Sequence, residues 1–306
     1  MNTPRIISLI ASSTETLCAL GFQHLLVGRS HECDYPISVS NLPACSSAKF
    51  DTNGTSSEID DRVQNTLKEA LSVYNVDIEK LQNLNPSLII TQDQCDICAV
   101  SLSDVQKAVD EKLQSNPAII SLAPNSIEDI FSGIKEIANA LDEPQKGIDL
   151  VNSLSHRIEK IRSLTKTAMN KPKVACIEWI DPLIGAGNWI PEIVSSAGGV
   201  NTIGQTGRNA LRLALSELER VDPEYIVAMP CGWGIEKARQ EIDTLARQKF
   251  WPRLKAVKEN KVFLADGNHF FNRPSPRIVE SIEILAEILH PELFEQKHYE
   301  SDWVRY

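Results

Sequence analysis

Four of the seven cysteines follow segments that read as buried strands, where their thiols could bind a metal. Cys95 and Cys98 are separated by two residues, a spacing found in metal-binding and redox pairs. Cys33 or Cys231 could complete a site for a soft metal, which thiolates favour. The chain has no second C-x-x-C pair, which argues against a structural zinc ribbon. The alternative is that these cysteines are small buried thiols of the core.

Large aromatic residues are also found in loops that follow predicted strands. All five tryptophans lie in the second half of the chain. Flat rings at the ends of strands can form the walls of a site for a planar macrocycle or an apolar ligand. The candidates for such walls are Tyr35, Phe50, Trp179, Trp189, Trp233 and Phe270. The alternative for each ring is ordinary packing of a loop over the sheet.

Polar side chains in the same loops offer hydrogen bonds to a ligand. The predicted polar ligand-binding residues are Gln92, Gln94, Asn188, Asn268, His269 and Arg273. His269 and His31 could each bind a metal or exchange a proton near neutral pH. A single histidine in a loop is more often solvated or hydrogen-bonded than metal-bound, and this is the alternative for both.

A long amphipathic helix is predicted in the middle of the chain, from Pro144 to about Thr167. Apolar residues recur there at steps of three and four, which places them along one side of a helix. Pro144 suits the first helical turn, because its missing N–H has no intrahelical partner at that position. Pro172 follows the periodic stretch as a stop signal. The helix either joins two lobes or crosses over within a single sheet.

Strands and helices alternate on both sides of this helix, which predicts parallel sheets. The segment Leu81–Ile90, LQNLNPSLII, aligns with Leu218–Val227, LERVDPEYIV, and both read as a helix end, a proline turn and a buried strand. The predicted fold is therefore α/β, with two lobes that each contain a mostly parallel sheet flanked by helices. The lobes are predicted at residues 1–143 and 170–306, with the spine helix at 144–169. Ligands of such sheets bind at the carboxyl ends of the strands.

Composition limits the location and the partners. The chain has 306 residues and a net charge of -10, which argues against a nucleic-acid partner. No stretch approaches about 18 consecutive apolar residues, so a membrane-embedded segment is not expected. The apolar run near the N-terminus is too short for a signal peptide. The sequence as it stands predicts a cytoplasmic protein, or an extracytoplasmic one whose export signal has been replaced by Met1.

The motifs as a set resemble the substrate-binding proteins of ABC importers for iron-siderophores, haem and cobalamin. The resemblance is carried by Ile7–Gly21, ISLIASSTETLCALG, by Leu84–Ile90, LNPSLII, and by the single spine helix. The loops at 29–36, 94–101 and 266–273 resemble a cobalamin-binding subgroup. The family implies two α/β lobes that move little on binding, an ABC permease as partner, and a carboxylate on each lobe that docks on it. Glu15 and Glu192 are the candidate docking residues.

The resulting prediction is non-enzymatic binding of a corrinoid in the cleft between the lobes, for ABC import or intracellular handling. Asn, Gln and backbone groups would suit the amide side chains of a corrin. One alternative is a cytoplasmic metal or thiol-site protein that uses Cys95 and Cys98. Another is a siderophore or haem binder, although Arg and Lys are sparse in the loops for an anionic siderophore complex. No hydrolase, zinc-protease or phosphate-loop motif is present.

Overall fold

A computed structural model describes residues 3–69, 72–93, 100, 102–112 and 116–306. The chain forms two compact units. Unit 1 contains Met1–Gly54, Glu58–Pro124 and Glu128–Asn152, and unit 2 contains Thr55–Ser57, Asn125–Ile127 and Ser153–Tyr306. No helix within the described ranges is long and apolar enough to cross a membrane.

Unit 1 is built on a parallel sheet of four strands in the order β2-β1-β5-β6. These strands are β1 (Ile6–Ser8), β2 (Leu26–Arg29), β5 (Leu88–Gln92) and β6 (Ala118–Leu122). All five residues of β5 are buried, as expected for a central strand of a parallel sheet covered on both faces. A short antiparallel pair, β3 (Ser46–Ala48) and β4 (Tyr74–Val76), lies in the segment between β2 and β5.

Five helices follow the strands of unit 1. They are α1 (Ala11–Ala19), α2 (Ser56–Glu69), α3 (Ile78–Leu84), α4 (Leu102–Lys112) and α5 (Ile127–Ala140). The first residues of α2 and α5 are assigned to unit 2.

The predicted long helix is confirmed as α6 (Pro144–Thr165), and the boundary between the units falls within it, after Asn152. Its buried stripe contains Val151, Leu154, Ile158 and Ile161. In unit 1, a Cβ on Gly147 would lie 2.8 Å from the Cβ of Ala138, so glycine permits close approach of α6 to α5.

Unit 2 contains a mixed sheet in the order β10-β8-β7-β11-β12-β13, with β9 also paired to β7. Its strands are β7 (Lys173–Trp179), β8 (Ile184–Gly185), β9 (Val200–Asn201), β10 (Leu211–Arg212), β11 (Tyr225–Ala228), β12 (Val262–Ala265) and β13 (Trp303–Arg305). The central strands β7, β11 and β12 are parallel, as predicted. Strands β8, β10 and β13 pair antiparallel to their neighbours. The sequence after Pro291, which contains β13, has no clear period.

The remaining helices are α7 (Ile190–Ser196), α8 (Leu215–Val221), α9 (Ile235–Ala246), α10 (Lys255–Lys258) and α11 (Ile278–Leu289). The buried core of unit 2 includes Ile177, Ile226, Leu264 and Ile242, which bring the parallel strands and α9 together.

The predicted internal match is confirmed in geometry. Helix α3 ends at Asn85 with φ 45°, and α8 ends at Asp222 with φ 41°. Asn and Asp tolerate this left-handed conformation better than other residues with a side chain. A proline follows each of them, and then β5 or β11 begins.

Candidate functional site

In unit 1, a cluster of hydroxyl groups lies at the carboxyl ends of β1 and β2. Ser8, the last residue of β1, has its Oγ 2.7 Å from Ser13 Oγ. Thr14 Oγ1 donates to Ser8 Oγ at 2.8 Å and is also 3.0 Å from the sulfur of Cys33. All of these side chains are buried. The hydroxyl groups of the cluster therefore satisfy one another, and Cys33 connects the loop after β2 to the start of α1.

His31 lies directly after β2 and is half-buried. Its Nδ1 is 2.9 Å from Ser46 Oγ, and its ring lies against Tyr74 with centroids 5.4 Å apart. The Tyr74 hydroxyl donates to Glu32 Oε1 at 3.2 Å. Burial lowers the pKa of His31, and the nearby Arg29 charge lowers it further. The imidazole is therefore neutral at neutral pH.

The other predicted residues of unit 1 have different exposures. Tyr35 is 45% exposed in the loop after β2, and Phe50 is half-buried after β3. Gln92 ends β5 and is buried. The remaining predictions in this unit, Gln94, Cys95 and Cys98, lie outside the described residues. Ligand binding by Tyr35, Phe50, Gln92 and Gln94, and metal binding by Cys95 and Cys98, stay predictions.

In unit 2, Trp179 and Trp233 form an aromatic pair at the carboxyl ends of β7 and β11. Their ring centroids are 4.6 Å apart at an angle of 43°. Trp179 is the last residue of β7, and Trp233 follows β11, so the parallel pairing of these strands brings together residues far apart in sequence. Lys237 Nζ lies 5.0 Å from the Trp233 ring centroid, a cation–π distance. Trp179 is half-buried, whereas Trp233 is 8% exposed and supports it from below.

A buried carboxylate adjoins this pair within unit 2. Glu241 on α9 is 6% exposed, and its Oε2 accepts from the backbone N–H of Ser56 at 2.9 Å and from Ser56 Oγ at 2.8 Å. The indole Nε1 of Trp179 donates to the carbonyl of Ser56 at 3.2 Å. Lys237 is 3.5 Å from Glu241. The position of the Trp179 ring is thus held by both ring contact and hydrogen bonding.

The loop after β12 is organised by Asp266. Its Oδ1 accepts from the backbone N–H groups of Asn268 and His269, each at 2.8 Å. Its Oδ2 is 2.9 Å from His269 Nδ1. Although burial works to raise the pKa of Asp266, the hydrogen bonds from His269 and Asn268 keep it below its ordinary value. Asp266 therefore stays ionised and orients both predicted residues.

The loops after β11 and β12 are packed closely together in unit 2. Asn272 Nδ2 donates to the carbonyls of Met229 and Gly267, both at 2.9 Å. A Cβ on Gly267 would lie 2.1 Å from the carbonyl oxygen of Pro230, so only glycine fits. Asn268 Oδ1 accepts from Arg273 Nη2 at 3.1 Å, and the Arg273 side chain is buried. Arg273 thus contributes to the rigidity of this loop.

Two predicted wall residues pack into the interior of unit 2. Trp189 is 5% exposed, and its Nε1 donates to the carbonyl of Phe271 at 2.6 Å. Phe270 is similarly buried, with Arg277 5.2 Å from its ring centroid. Rings so enclosed have little surface to offer a ligand. Asn188 has φ 50°, and its side-chain Oδ1 is buried without a hydrogen-bond partner in the structure.

The cysteines differ in their surroundings. Cys33 is buried in unit 1 in the hydroxyl cluster, and Cys231 is exposed in unit 2 with its backbone N–H on the carbonyl of Glu178. Within the described ranges, no group of three or more His, Cys, Asp or Glu side chains could hold a metal ion. A site that uses Cys95 and Cys98 stays a prediction, since both lie outside those ranges.

The two carboxylates predicted to dock on a permease are engaged within the fold. Glu15 is 4% exposed, and this burial does not fit a docking role. Glu192 Oε2 accepts from the backbone N–H of Ile127 at 2.8 Å, where it caps the start of α5.

Sequence reasoning missed the residues that support the site. Ser46, Ser56, Glu241, Asp266 and Asn272 act through partners distant in sequence or through backbone groups. Only Asp266 had a usable signal, since an aspartate two and three residues before Asn268 and His269 can form an Asx-type turn. Ser46 and Ser56 fall in a segment expected to be irregular.

Comparison with known proteins identifies the class. The model of the periplasmic binding protein family matches residues 6–268. The ABC transporter substrate-binding lipoprotein YvrC of Bacillus subtilis (strain 168) is 23% identical over 299 residues, 95% of this chain and 82% of the relative. The vitamin B12-binding protein of Vibrio vulnificus (strain YJ016) is 22% identical over 297 residues, 96% of this chain and 92% of the relative.

A solved structure gives the same result for the fold. The periplasmic heme-binding protein RhuT from Roseiflexus sp. RS-1 superimposes with a TM-score of 0.69 and 20% identity, covering 96% of this chain and 100% of that chain. The chain therefore belongs to the periplasmic binding protein family, a family of solute-binding proteins. The predicted family and the two-unit α/β fold are confirmed.

Proposed function

We propose that this protein is the substrate-binding component of an ABC importer and that its ligand is a corrinoid, cobalamin or a close relative. The observation that carries the proposal is the Trp179–Trp233 pair at the carboxyl edge of the unit 2 sheet. A half-buried indole, packed at a tilt against a second one and hydrogen-bonded at its nitrogen, is a rigid flat surface. Such a surface suits a planar macrocycle, because little conformational entropy is lost when the ligand stacks on it.

The similarity to vitamin B12-binding proteins over almost the whole chain supports a corrinoid. Asn268, presented by Asp266, and Gln92 and Gln94 of unit 1 are the amides proposed to bind the side chains of the corrin. His269 is the proposed ionisable group beside them.

Haem is the second candidate, since the fold also matches a haem-binding protein and His31 presents a neutral imidazole. A siderophore complex is a third. An extracytoplasmic location and a permease partner are proposed from the lipoprotein relative. We expect no nucleic-acid partner.

Equilibrium dialysis against a panel of ligands tests the proposal. The purified protein is dialysed against cyanocobalamin, haemin and a ferric hydroxamate siderophore, each over a range of concentrations. We expect cyanocobalamin to bind with a dissociation constant below about 10 μM, equivalent to about −7 kcal/mol. Tighter binding of haemin or of the siderophore would replace the corrinoid, and no retention of any of the three would contradict the proposed function.

The thiol-site alternative has its own measurement. Elemental analysis of protein purified without added metal would detect stoichiometric zinc or iron, lost on Cys95→Ser, if Cys95 and Cys98 hold a metal. A metal content near zero would contradict the thiol-site alternative.

A further inference from the structure

The inference concerns the second ring nitrogen of His31, and it rests on the proposed function. The hydrogen-bond network around the ring favours one tautomer. Ser46 Oγ donates to Ser30 Oγ at 3.1 Å and accepts from the His31 backbone N–H at 3.2 Å. It also lies 2.9 Å from His31 Nδ1, and Ser30 Oγ lies 3.5 Å from the same nitrogen. Because Ser46 Oγ uses its hydrogen on Ser30, the network favours the tautomer with the proton on Nδ1, in which Nε2 carries a lone pair.

That lone pair makes no hydrogen bond to the parts of the chain that the structure describes. The ring itself is held in place by Tyr74 and by Ser46. A neutral imidazole with one nitrogen hydrogen-bonded to the protein and the other free is the arrangement by which histidine binds metals.

The position of His31 in the fold matches a ligand-binding role. It follows β2 directly, at the carboxyl edge of a parallel sheet, where ligands of such sheets bind. The loop that carries it is connected to the buried hydroxyl cluster through Cys33, whose sulfur lies 3.0 Å from Thr14 Oγ1. The imidazole is therefore presented from a rigid support at low entropic cost.

We propose that His31 Nε2 coordinates the cobalt of the bound corrinoid at an exchangeable axial position and so selects corrinoids that carry water there. In this exchange a cobalt–nitrogen bond forms, the cobalt–oxygen bond to water breaks, and one water molecule leaves. Neither the cobalt nor the protein is oxidised or reduced. A corrinoid with both axial positions firmly occupied would still stack on the protein, but His31 would add nothing to its binding affinity.

The experiment compares two corrinoids on the same protein. Aquocobalamin carries an exchangeable water on cobalt, whereas cyanocobalamin carries cyanide in that position. Visible absorption spectra are recorded during titration of each ligand with the wild-type chain and with His31→Ala. We expect a shift of the aquocobalamin absorption bands with the wild-type chain, loss of that shift with His31→Ala, and a fall in affinity of about tenfold or more. The affinity for cyanocobalamin should change less than about twofold.

Two further variants control the interpretation. His24→Ala removes an exposed histidine of unit 1 outside the strand-end loops and should leave the shift intact. Ser46→Ala keeps the imidazole but removes the acceptor for Nδ1, and should weaken aquocobalamin binding by about tenfold while the spectral shift persists at saturation. This second result distinguishes a ligand from a residue that only supports the loop.

The outcomes separate this inference from the proposed function. If aquocobalamin binds without a spectral shift, or if the shift survives His31→Ala, coordination by His31 is contradicted and the corrinoid proposal stands. If neither corrinoid binds, the proposed function fails and the inference fails with it.

Discussion

The carboxyl edges of the two parallel sheets are built from different chemistry. In unit 1, buried hydroxyl groups support one imidazole, with Ser8, Thr14 and Ser46 as the central members. In unit 2, two indoles packed at a tilt lie beside a lysine and a buried carboxylate. The edge of unit 2 therefore presents aromatic area, whereas the edge of unit 1 presents a directed polar atom.

The largest effect is expected at the buried ring of the aromatic pair. Trp233→Ala removes an indole that is 8% exposed and leaves a cavity beneath Trp179. We expect a loss of about 3–5 kcal/mol in the free energy of unfolding, measured by urea denaturation. A loss below about 1 kcal/mol would show that the pair is a surface feature and would weaken the contrast with unit 1.

The buried carboxylate of unit 2 should have the next largest effect. Glu241→Ala leaves the N–H and the hydroxyl of Ser56 without their acceptor, at an expected cost of about 2–3 kcal/mol by the same measurement. Glu236→Ala, an exposed position in the first turn of the same helix, is the matched control and should cost less than about 1 kcal/mol. Equal losses for the two variants would be inconsistent with a special role of the buried contact.

In unit 1, single hydroxyl groups should each matter less. Thr14→Val keeps the shape of the side chain but removes the bonds to Ser8 Oγ and Cys33 Sγ, and we expect a loss of about 1–2 kcal/mol. Thr66→Val, whose hydroxyl bonds only to the carbonyl of Arg62 in its own helix, should be nearly neutral. If the two variants behave alike, the cluster does not act as a network.

The pH dependence of stability should differ in sign between the histidines of the two units. In unit 2, hydrogen bonds to Asp302 and Glu283 raise the pKa of His298 to about 10, so its contribution is complete below pH 6.5 and is lost as pH rises towards 10. In unit 1, burial lowers the pKa of His31 below 6.5, so its contribution is present above pH 6.5 and is lost as pH falls through the lower folded value.

Thermal unfolding from pH 5 to pH 10 measures both effects. We expect His298→Gln to flatten the alkaline side of the profile by a few degrees and His31→Ala to flatten the acid side by less. Any variant that flattens the opposite side would contradict the assigned direction of its pKa shift.

Much of the fold could be predicted because its signals are local. Apolar period and nearby turn residues predict helices at Ile78–Leu84 and Ile278–Leu289 and a strand at Ala118–Leu122, and α3, α11 and β6 have these bounds. Strand β13 could not be predicted, because Trp303–Arg305 becomes a strand only by pairing with β12. The candidate site shows the same contrast between contacts that could be predicted and contacts that could not. The proximity of Trp179 and Trp233 follows from parallel strand order, whereas the bond from His31 to Ser46 depends on a distant segment without periodicity.

Calorimetric titration of cyanocobalamin into the wild-type chain, Trp179→Ala and Tyr225→Ala tests the central claim most directly. Tyr225 also stacks on an aromatic ring beneath a lysine, but at the amino end of β11, so it is a matched control for Trp179. We predict binding by the wild-type chain, a loss of affinity of about 10-fold to 100-fold for Trp179→Ala, equivalent to about 1.4–2.7 kcal/mol, and nearly unchanged affinity for Tyr225→Ala. Absence of binding by the wild-type chain, or equal affinity of the two variants, would contradict a corrinoid site built on the Trp179–Trp233 pair.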